Sequence, residues 1–356
     1  QNDAGSLAGY VAYSDIINCY ATGDVTGTAN VGGLAGYINS STIIDSYFAG
    51  SVTGQRCVGG LVGYVQYSDI INSYATGSVT GTGYDVGGLA GSIHQYSTII
   101  DSYFTGSVTG GQDHVGGLAG YVEYSDIISS YATGSVTGTG YDVGGLAGWL
   151  GYSVISDSYA SVSVTGTKNV GGLAGLVLGD VGGNEYSISN CYATGSVAGV
   201  DYVGGLVGYR SENGTITSSY WDTDTSGQSV GVGDGGSDGC TGLTTDEMMQ
   251  QASFVGWDFV TTWGIDEGET YPYLFAFIDA EPEPESETGA VAVVAIVEAE
   301  LFALNDALTP VFTLPELESV AGEPAEEGEK RKADLQSLPL FDLKDGCVSG
   351  QNLECE

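Results

Sequence analysis

Val31-Gly32-Gly33-Leu34-Ala35-Gly36 is the stretch from which the rest of this sequence can be read. It returns as Val58-Gly59-Gly60-Leu61-Val62-Gly63, and its leucine recurs at Leu89, Leu118, Leu146, Leu173 and Leu206. A truncated copy, Gly5-Ser6-Leu7-Ala8-Gly9, opens the series. Successive leucines stand 27, 27, 28, 29, 28, 27 and 33 residues apart. A period of this size marks a stacked repeat architecture.

A tyrosine follows 13 residues after most of these leucines, giving the series Tyr20, Tyr47, Tyr74, Tyr103, Tyr131, Tyr159, Tyr192 and Tyr220. Four residues before each tyrosine is an isoleucine, and five after it is a valine, until Thr225 breaks the valine series. Short runs of β-branched and aromatic residues punctuated by glycine are strand chemistry. No 3.6-residue apolar period is present over residues 1–227, which argues against a helical solenoid. The pattern predicts an all-β fold: a parallel β-solenoid of about eight 27–29-residue coils with three short strands each. Val31 and Leu34 are an odd number of residues apart, so both can point inward only if the chain bends at Gly32-Gly33.

Stacking identical coils would place like charges opposite one another, which destabilises a sheet. The sequence avoids this. Five residues before the tyrosine it reads Asp15, Thr42, Asp69, Thr98, Asp126, and two before it reads Asn18, Asp45, Asn72, Asp101, Ser129. The residue after the tyrosine alternates as well: Ala21, Phe48, Ala75, Phe104, Ala132.

At Gly33-Leu34-Ala35-Gly36 and Gly60-Leu61-Val62-Gly63 the chain resembles the GLUG-motif repeat family, whose core is Gly-Leu-any-Gly. The resemblance extends over residues 1–275, including Ser219-Tyr220-Trp221-Asp222 and the closing Tyr271-Pro272-Tyr273-Leu274. It implies an exported microbial surface protein of adhesin-like type. It brings no catalytic motif, and the zinc-peptidase pattern His-Glu-x-x-His does not occur in the sequence.

Forty-five acidic residues against seven Lys and Arg give a formal charge of −38. That balance excludes nucleic acid, whose phosphates need clustered cations. No run of 18 apolar residues is long enough to span a membrane. Gln1, with no methionine near it, reads as the processed N-terminus of an exported chain, placing the protein outside the cell or on its surface. Residues 1–227 form the repeats. Residues 228–278 read as a C-terminal cap, with a capping box at Thr244 and Glu247 opening a helix over about 245–252. Residues 279–289 read as an acidic linker, and 290–356 as an acidic tail carrying an apolar strand-like segment. The tail could add a strand to a neighbour, giving a head-to-tail homopolymer.

Candidate sites are few. Asp222-x-Asp224-x-Ser226-Gly227 has the oxygen-ligand spacing of a calcium loop but lacks the later Glu of an EF-hand. Ser51, Thr53, Ser78, Thr80, Ser107, Thr109, Ser135 and Thr137 alternate with inward valines, which predicts a flat hydroxyl face suited to glycan or ice. His94 and His114 occupy different coil positions and read as solvated turn residues. Asp15, Asp69 and Asp126 would stack at two-coil intervals, an arrangement to weigh against a polysaccharide-cleaving pair. Cys19, Cys57, Cys191, Cys240, Cys347 and Cys355 are disulfide candidates for an exported protein. Cys19 and Cys191 lie six coils apart and cannot pair within one solenoid. The leading expectation is a non-enzymatic structural or adhesive protein with a homopolymeric or cell-surface partner. Glycan or ice binding comes second and polysaccharide cleavage third.

Overall fold

The computed structural model describes residues 2–179, 186–236, 239–278 and 351–354. The repeats form a parallel β-solenoid of about eight coils, and each coil contributes a strand to four sheets, not three. In the second coil these strands are Ala29–Gly32 (sheet A), Ala35–Asn39 (sheet B), Thr42–Ile44 (sheet C) and Tyr47–Gly54 (sheet D). Pairing is parallel and in register, so Val31 meets Val58, Ile43 meets Ile70 and Val52 meets Val79.

The extra corner comes from backbone that composition does not reveal. Among the described residues, every non-glycine residue with positive φ falls in one of three columns. One column includes Asn30, Cys57, Asp85 and His114 at the sheet A strands. A second runs through Tyr13, Ser40, Tyr67 and Tyr124, where sheet B turns into sheet C. The third includes Asn18, Asp45, Asn72 and Asp101, where sheet C turns into sheet D. Tyr13, at φ 53°, therefore splits what reads as one strand into Ala8–Ala12 and Ser14–Ile17. Asn and Asp tolerate this left-handed conformation better than other residues with a Cβ.

The fourth corner, between sheets A and B, is the Gly-Gly-Leu bend. Val31 and Leu34 are both fully buried on its two sides, as the bend requires. A Cβ at Gly33 would fall inside the Phe48 ring and against the Gly60 carbonyl, so this site needs glycine for space. Inside the solenoid, Ile16, Ile43, Ile70, Ile99, Ile127, Ile155 and Ile188 make one apolar column and Leu34 to Leu206 another. Phe48 and Phe104 each stand beside Ala75, so large and small side chains interdigitate along the axis. Trp221 ends that column near the last coil.

Two columns of buried serine, unnoticed in the sequence, hold the corners of sheet C. Ser46, Ser73, Ser102, Ser130 and Ser158 form one of them. The Ser73 backbone N–H donates to Ser102 Oγ at 3.0 Å and Ser102 N–H to Ser130 Oγ at 3.1 Å. Each hydroxyl then donates back within its own coil, as Ser102 Oγ does to the Ile100 carbonyl at 2.8 Å. Ser41, Ser68, Ser97, Ser125 and Ser153 repeat the device at the corner between sheets B and C. The corner amides cannot reach a straight strand partner, and these hydroxyls supply it.

Residues 228–278 do two things. Val232–Asp234 and Cys240–Leu243 add strands to sheets B and D. The remainder folds onto the outer face of sheet D, where Met248, Phe254, Trp257, Trp263 and Leu274 form a second apolar core with Tyr192 and Tyr220. The helix is Thr245–Met248, shorter than expected, and is followed by a 3-10 turn at Gln251–Ser253. Its capping box is complete: Glu247 N–H donates to Thr244 Oγ1 and Thr244 N–H to Glu247 Oε2. At the other end of the solenoid, Gln351–Glu354 pairs in parallel with Ser14–Ile17 at the edge of sheet C. The acidic linker 279–289, and the tail except for 351–354, lie outside the described residues.

The serine columns can be tested in a single coil. Ser102→Val leaves the Ser73 amide without its acceptor and should lower stability by about 1–3 kcal/mol. Ser102→Cys should cost less, because Cys191 occupies the same column, where its Sγ accepts from the Ser158 amide and donates to the Ser189 carbonyl at 3.1 Å. Urea denaturation midpoints of the two variants give the comparison.

Candidate functional site

Two surfaces of the solenoid differ from ordinary solvated sheet. The first is the hydroxyl half of sheet D. Its strands pair over eight residues, so Ser51, Ser78, Ser107 and Ser135 stand in one row and Thr53, Thr80, Thr109 and Thr137 in the next. Val52, Val79, Val108 and Val136 between them are buried. All eight hydroxyl-bearing residues are half-buried or exposed. Strand geometry spaces them about 4.8 Å along the axis and about 6.7 Å across it.

The other half of the same sheet carries the tyrosines. Tyr20 to Tyr192 stack face to face, with ring centroids 4.8–5.1 Å apart and planes within 7° of parallel. Phe277 covers Tyr103 and Tyr131 edge-on, and Tyr192 OH donates to the Pro272 carbonyl at 2.7 Å. The C-terminal segment thus occupies the tyrosine half near this end and packs against rings, not hydroxyls.

The second surface is a groove between sheets A and B. It consists of two adjoining cavities of about 400 and 380 Å³ that share Arg56, Cys57 and Tyr64. One wall is an aromatic column three residues after the repeat leucines. Tyr37 and Tyr64 pack edge to face at 5.0 Å, while Tyr121 stacks flat on Trp149 at 4.2 Å. Ser92 interrupts the column, and the His94 ring fills the gap, stacking on Tyr64 at 4.9 Å and on Tyr121 at 5.1 Å. His94 Nε2 bonds Ser92 Oγ at 2.7 Å, and its Nδ1 lies 3.3 Å from Glu123 Oε2. Burial lowers the His94 pKa despite Glu123, which favours the neutral ring.

The groove floor is the left-handed column of sheet A, and hydrogen bonds between coils join its side chains. Asn30 donates to Asp3 and Asn169 to Asp142, both at 2.6 Å. His114 lies between two acids, with Nδ1 2.7 Å from Asp85 and Nε2 3.5 Å from Asp142. Burial alone would lower its pKa. The hydrogen bond and charge of Asp85, reinforced by Asp142 and Asp113, outweigh burial and raise it. Both histidines are therefore half-buried and partnered, which corrects their reading as solvated turn residues. Counted from the repeat leucines, His94 shares the offset of Gln66 and Glu123, and His114 that of Asp85; what the count does not show is that these positions face one another across a groove.

The remaining candidates resolve differently. Asp222 is fully buried. Its Oδ1 caps the short helix Thr223–Ser226 through the Asp224 and Thr225 amides, and its Oδ2 accepts from Thr245 Oγ1 at 2.8 Å and from Tyr271 OH. Asp224 Oδ2 accepts from Thr245 N–H at 3.0 Å, and Ser226 Oγ from Gln228 N–H at 3.2 Å. The oxygens proposed for calcium are thus engaged as a cap and clamp for the C-terminal segment. Among the described residues no three His, Cys, Asp or Glu side chains gather as a metal site. Asp15 accepts from Thr42 N–H, Asp69 from Thr98 Oγ1 and Asp126 from Val154 N–H, so each carboxylate ties its coil to the next.

No disulfide joins two described residues. Cys57 and Cys191 are buried free thiols, which removes them from the disulfide candidates. Burial pushes the Cys57 pKa up to about 12 and that of Cys191 higher still, so both are protonated and unreactive at neutral pH. Cys19 is buried, Cys240 is half-buried, and Cys347 and Cys355 lie outside the described residues.

The GLUG-motif model matches this chain five times. The matched stretches are 1–26, 54–80, 82–109, 111–137 and 139–165. Each holds one coil's strand of sheet D with its tyrosine; the first has Asp24 in the serine row, and beyond residue 165 the tyrosine and isoleucine columns continue while Ala198 ends the threonine row. No curated protein and no solved structure compared with the chain matches it. Among the described residues no helix is long and apolar enough to cross a membrane.

Three outcomes follow from these geometries. Asp222→Ala would strip an acceptor from two helix amides, Thr245 and Tyr271, and should cost about 3 kcal/mol or more in urea denaturation. EDTA should leave the midpoint of the unaltered protein unchanged. For His114, whose pKa is raised on folding, the stabilisation is complete below its ordinary value of about 6.5 and is lost as pH rises through the folded value. His114→Asn retains a donor, as Asn30 and Asn169 do, but cannot titrate. Raising the pH above about 6.5 should therefore lower the parent's stability relative to that of the variant. Melting curves across that range measure it.

Proposed function

We propose that this chain is a non-enzymatic structural and adhesive β-solenoid that works outside the cell, with the Ser/Thr half of sheet D as its contact surface. The observation that carries this reading is the unbroken register of the two hydroxyl rows across four successive coils. A rigid lattice of small donors and acceptors can meet a repetitive ligand with little ordering cost, because side chains with one rotor lose little entropy. The resemblance to GLUG-motif repeats supports a surface role. So does the charge of −38, which opposes non-specific self-association. Glycan is the ligand class proposed for this face, and ice is its competitor.

A second reading, a head-to-tail fibre, is favoured by the pairing of Gln351–Glu354 with the edge strand Ser14–Ile17. That edge accepts a parallel strand, and in a fibre the equivalent strand would come from the next molecule.

The hydroxyl face is tested with Thr80→Tyr/Thr109→Tyr, which keeps strand-favouring residues at outward positions. The intact chain should be retained on a glycan array and the double variant should lose at least ten-fold in signal, with unchanged melting. Thermal hysteresis in place of glycan retention would assign the face to ice. Equal binding by the variant, or neither signal from the intact chain, would overturn this use of the face. Electron microscopy of the intact chain tests the second reading. Filaments that disappear when residues 349–356 are deleted support it, and monomers throughout refute it.

A further inference from the structure

Residues 1–167 contain one arginine, two histidines and no lysine, and all three of these basic side chains, Arg56, His94 and His114, line the groove between sheets A and B. The chain carries 45 acidic residues, and Asp85, Glu123 and Asp142 stand beside these three, so only a basic group without an acidic partner can offer positive charge to a ligand. The three are not equivalent. His114 is committed to Asp85 and Asp142, and His94 to Ser92 and Glu123. Arg56 is exposed and forms no ion pair with a described residue. It therefore presents a planar, permanently charged fork to whatever enters the groove.

Opposite Arg56 stand Tyr37 and Tyr64. Because they pack edge to face, with an interplanar angle of 82°, the two rings cannot both be hidden face to face in the ladder. Both are only half-buried, and both line the cavity. Half-burial pushes the Tyr64 pKa up to about 12, so its ring stays a neutral phenol. Asn30 and Asp85 on the floor add hydrogen-bonding groups. The ring surface that Tyr37 and Tyr64 leave exposed, beside amide and carboxylate groups, matches a sugar ring, which has an apolar face and a rim of hydroxyls. A free guanidinium adds a match for a planar carboxylate. The coil repeat supplies a length as well: two coils rise about 9.6 Å, close to the length of a β-1,4-linked disaccharide. A single arginine among acids is too little for nucleic acid.

We propose that this groove binds a carboxylated, uronic-acid-type oligosaccharide laid along the solenoid axis, with Arg56 on a carboxylate and Tyr37 and Tyr64 against the sugar rings. This inference rests on the solenoid alone and uses none of the hydroxyls of sheet D.

Isothermal titration of the intact chain with a β-1,4-linked mannuronate hexasaccharide tests the proposal, with β-1,4-mannohexaose as the neutral counterpart. Binding of the acidic oligomer, weakened by added salt and at least ten-fold tighter than the neutral one, is expected. Arg56→Gln, at an exposed position, should reduce that affinity at least ten-fold with unchanged melting. Thr80→Tyr/Thr109→Tyr should leave it intact, which separates this site from the adhesive face. Equal binding of mannohexaose, unchanged affinity in Arg56→Gln, or no heat with either sugar at millimolar concentration would overturn the proposal. A sulfated dextran binding more than ten-fold tighter than the mannuronate oligomer would overturn the carboxylate assignment.

Discussion

Parallel, in-register stacking at the inter-strand spacing of about 4.8 Å is the constraint on which everything else in this protein depends. It makes each residue the direct neighbour of its equivalents in the coils before and after. A residue type is admissible at a position only if a column of that type, or of complementary types, is stable. Isoleucine, leucine and valine meet the condition by burial. Tyrosine meets it by flat stacking, which the seven rings from Tyr20 to Tyr192 maintain. Serine meets it because its hydroxyl can accept from one coil while donating within its own.

Carboxylates do not meet it. The structure separates them with donors: Asn72 stands beside Asp45, Thr98 beside Asp69, Asn169 beside Asp142, and His114 between Asp85 and Asp142. The same rule explains how a chain of charge −38 can stack coils. It also accounts for the histidines, which serve in these ladders as donors and as a substitute ring. Corners add a second demand, for left-handed backbone, and Asn and Asp satisfy both demands at once.

Columns also decide what the surface can do. An unbroken column makes a uniform face, such as the hydroxyl rows of sheet D. A broken column makes a particular site. Ser92 interrupts the aromatic wall, His94 repairs it, and Arg56 enters sheet A where the preceding coil has Ala29. The individuality of the groove lies in these departures. Most of the repeat serves the architecture, and the few residues that differ from their column mates carry the chemical distinction.

Much of this was legible in the sequence. The Leu-to-Leu period determined the solenoid and the number of coils, because an inward ladder has to recur once per turn. Residue alternation determined which of Ser51, Val52 and Thr53 face out, and Thr244 with Glu247 determined a helix start. Only the tertiary structure decided the fourth sheet, since left-handed φ at Tyr13 or Tyr67 has no compositional signal. It alone decided the serine columns and the engagement of Asp222 as a clamp. The groove needed it most. Gln95 and Tyr96 are both left-handed and absorb one extra residue after His94, which keeps its place opposite Gln66 and Glu123. Hydrogen-bonded register, and not distance along the chain, brings Arg56, Tyr64, His94 and His114 together. The pairing energy resides in the ladders, and loops of unequal length are free to bulge around them.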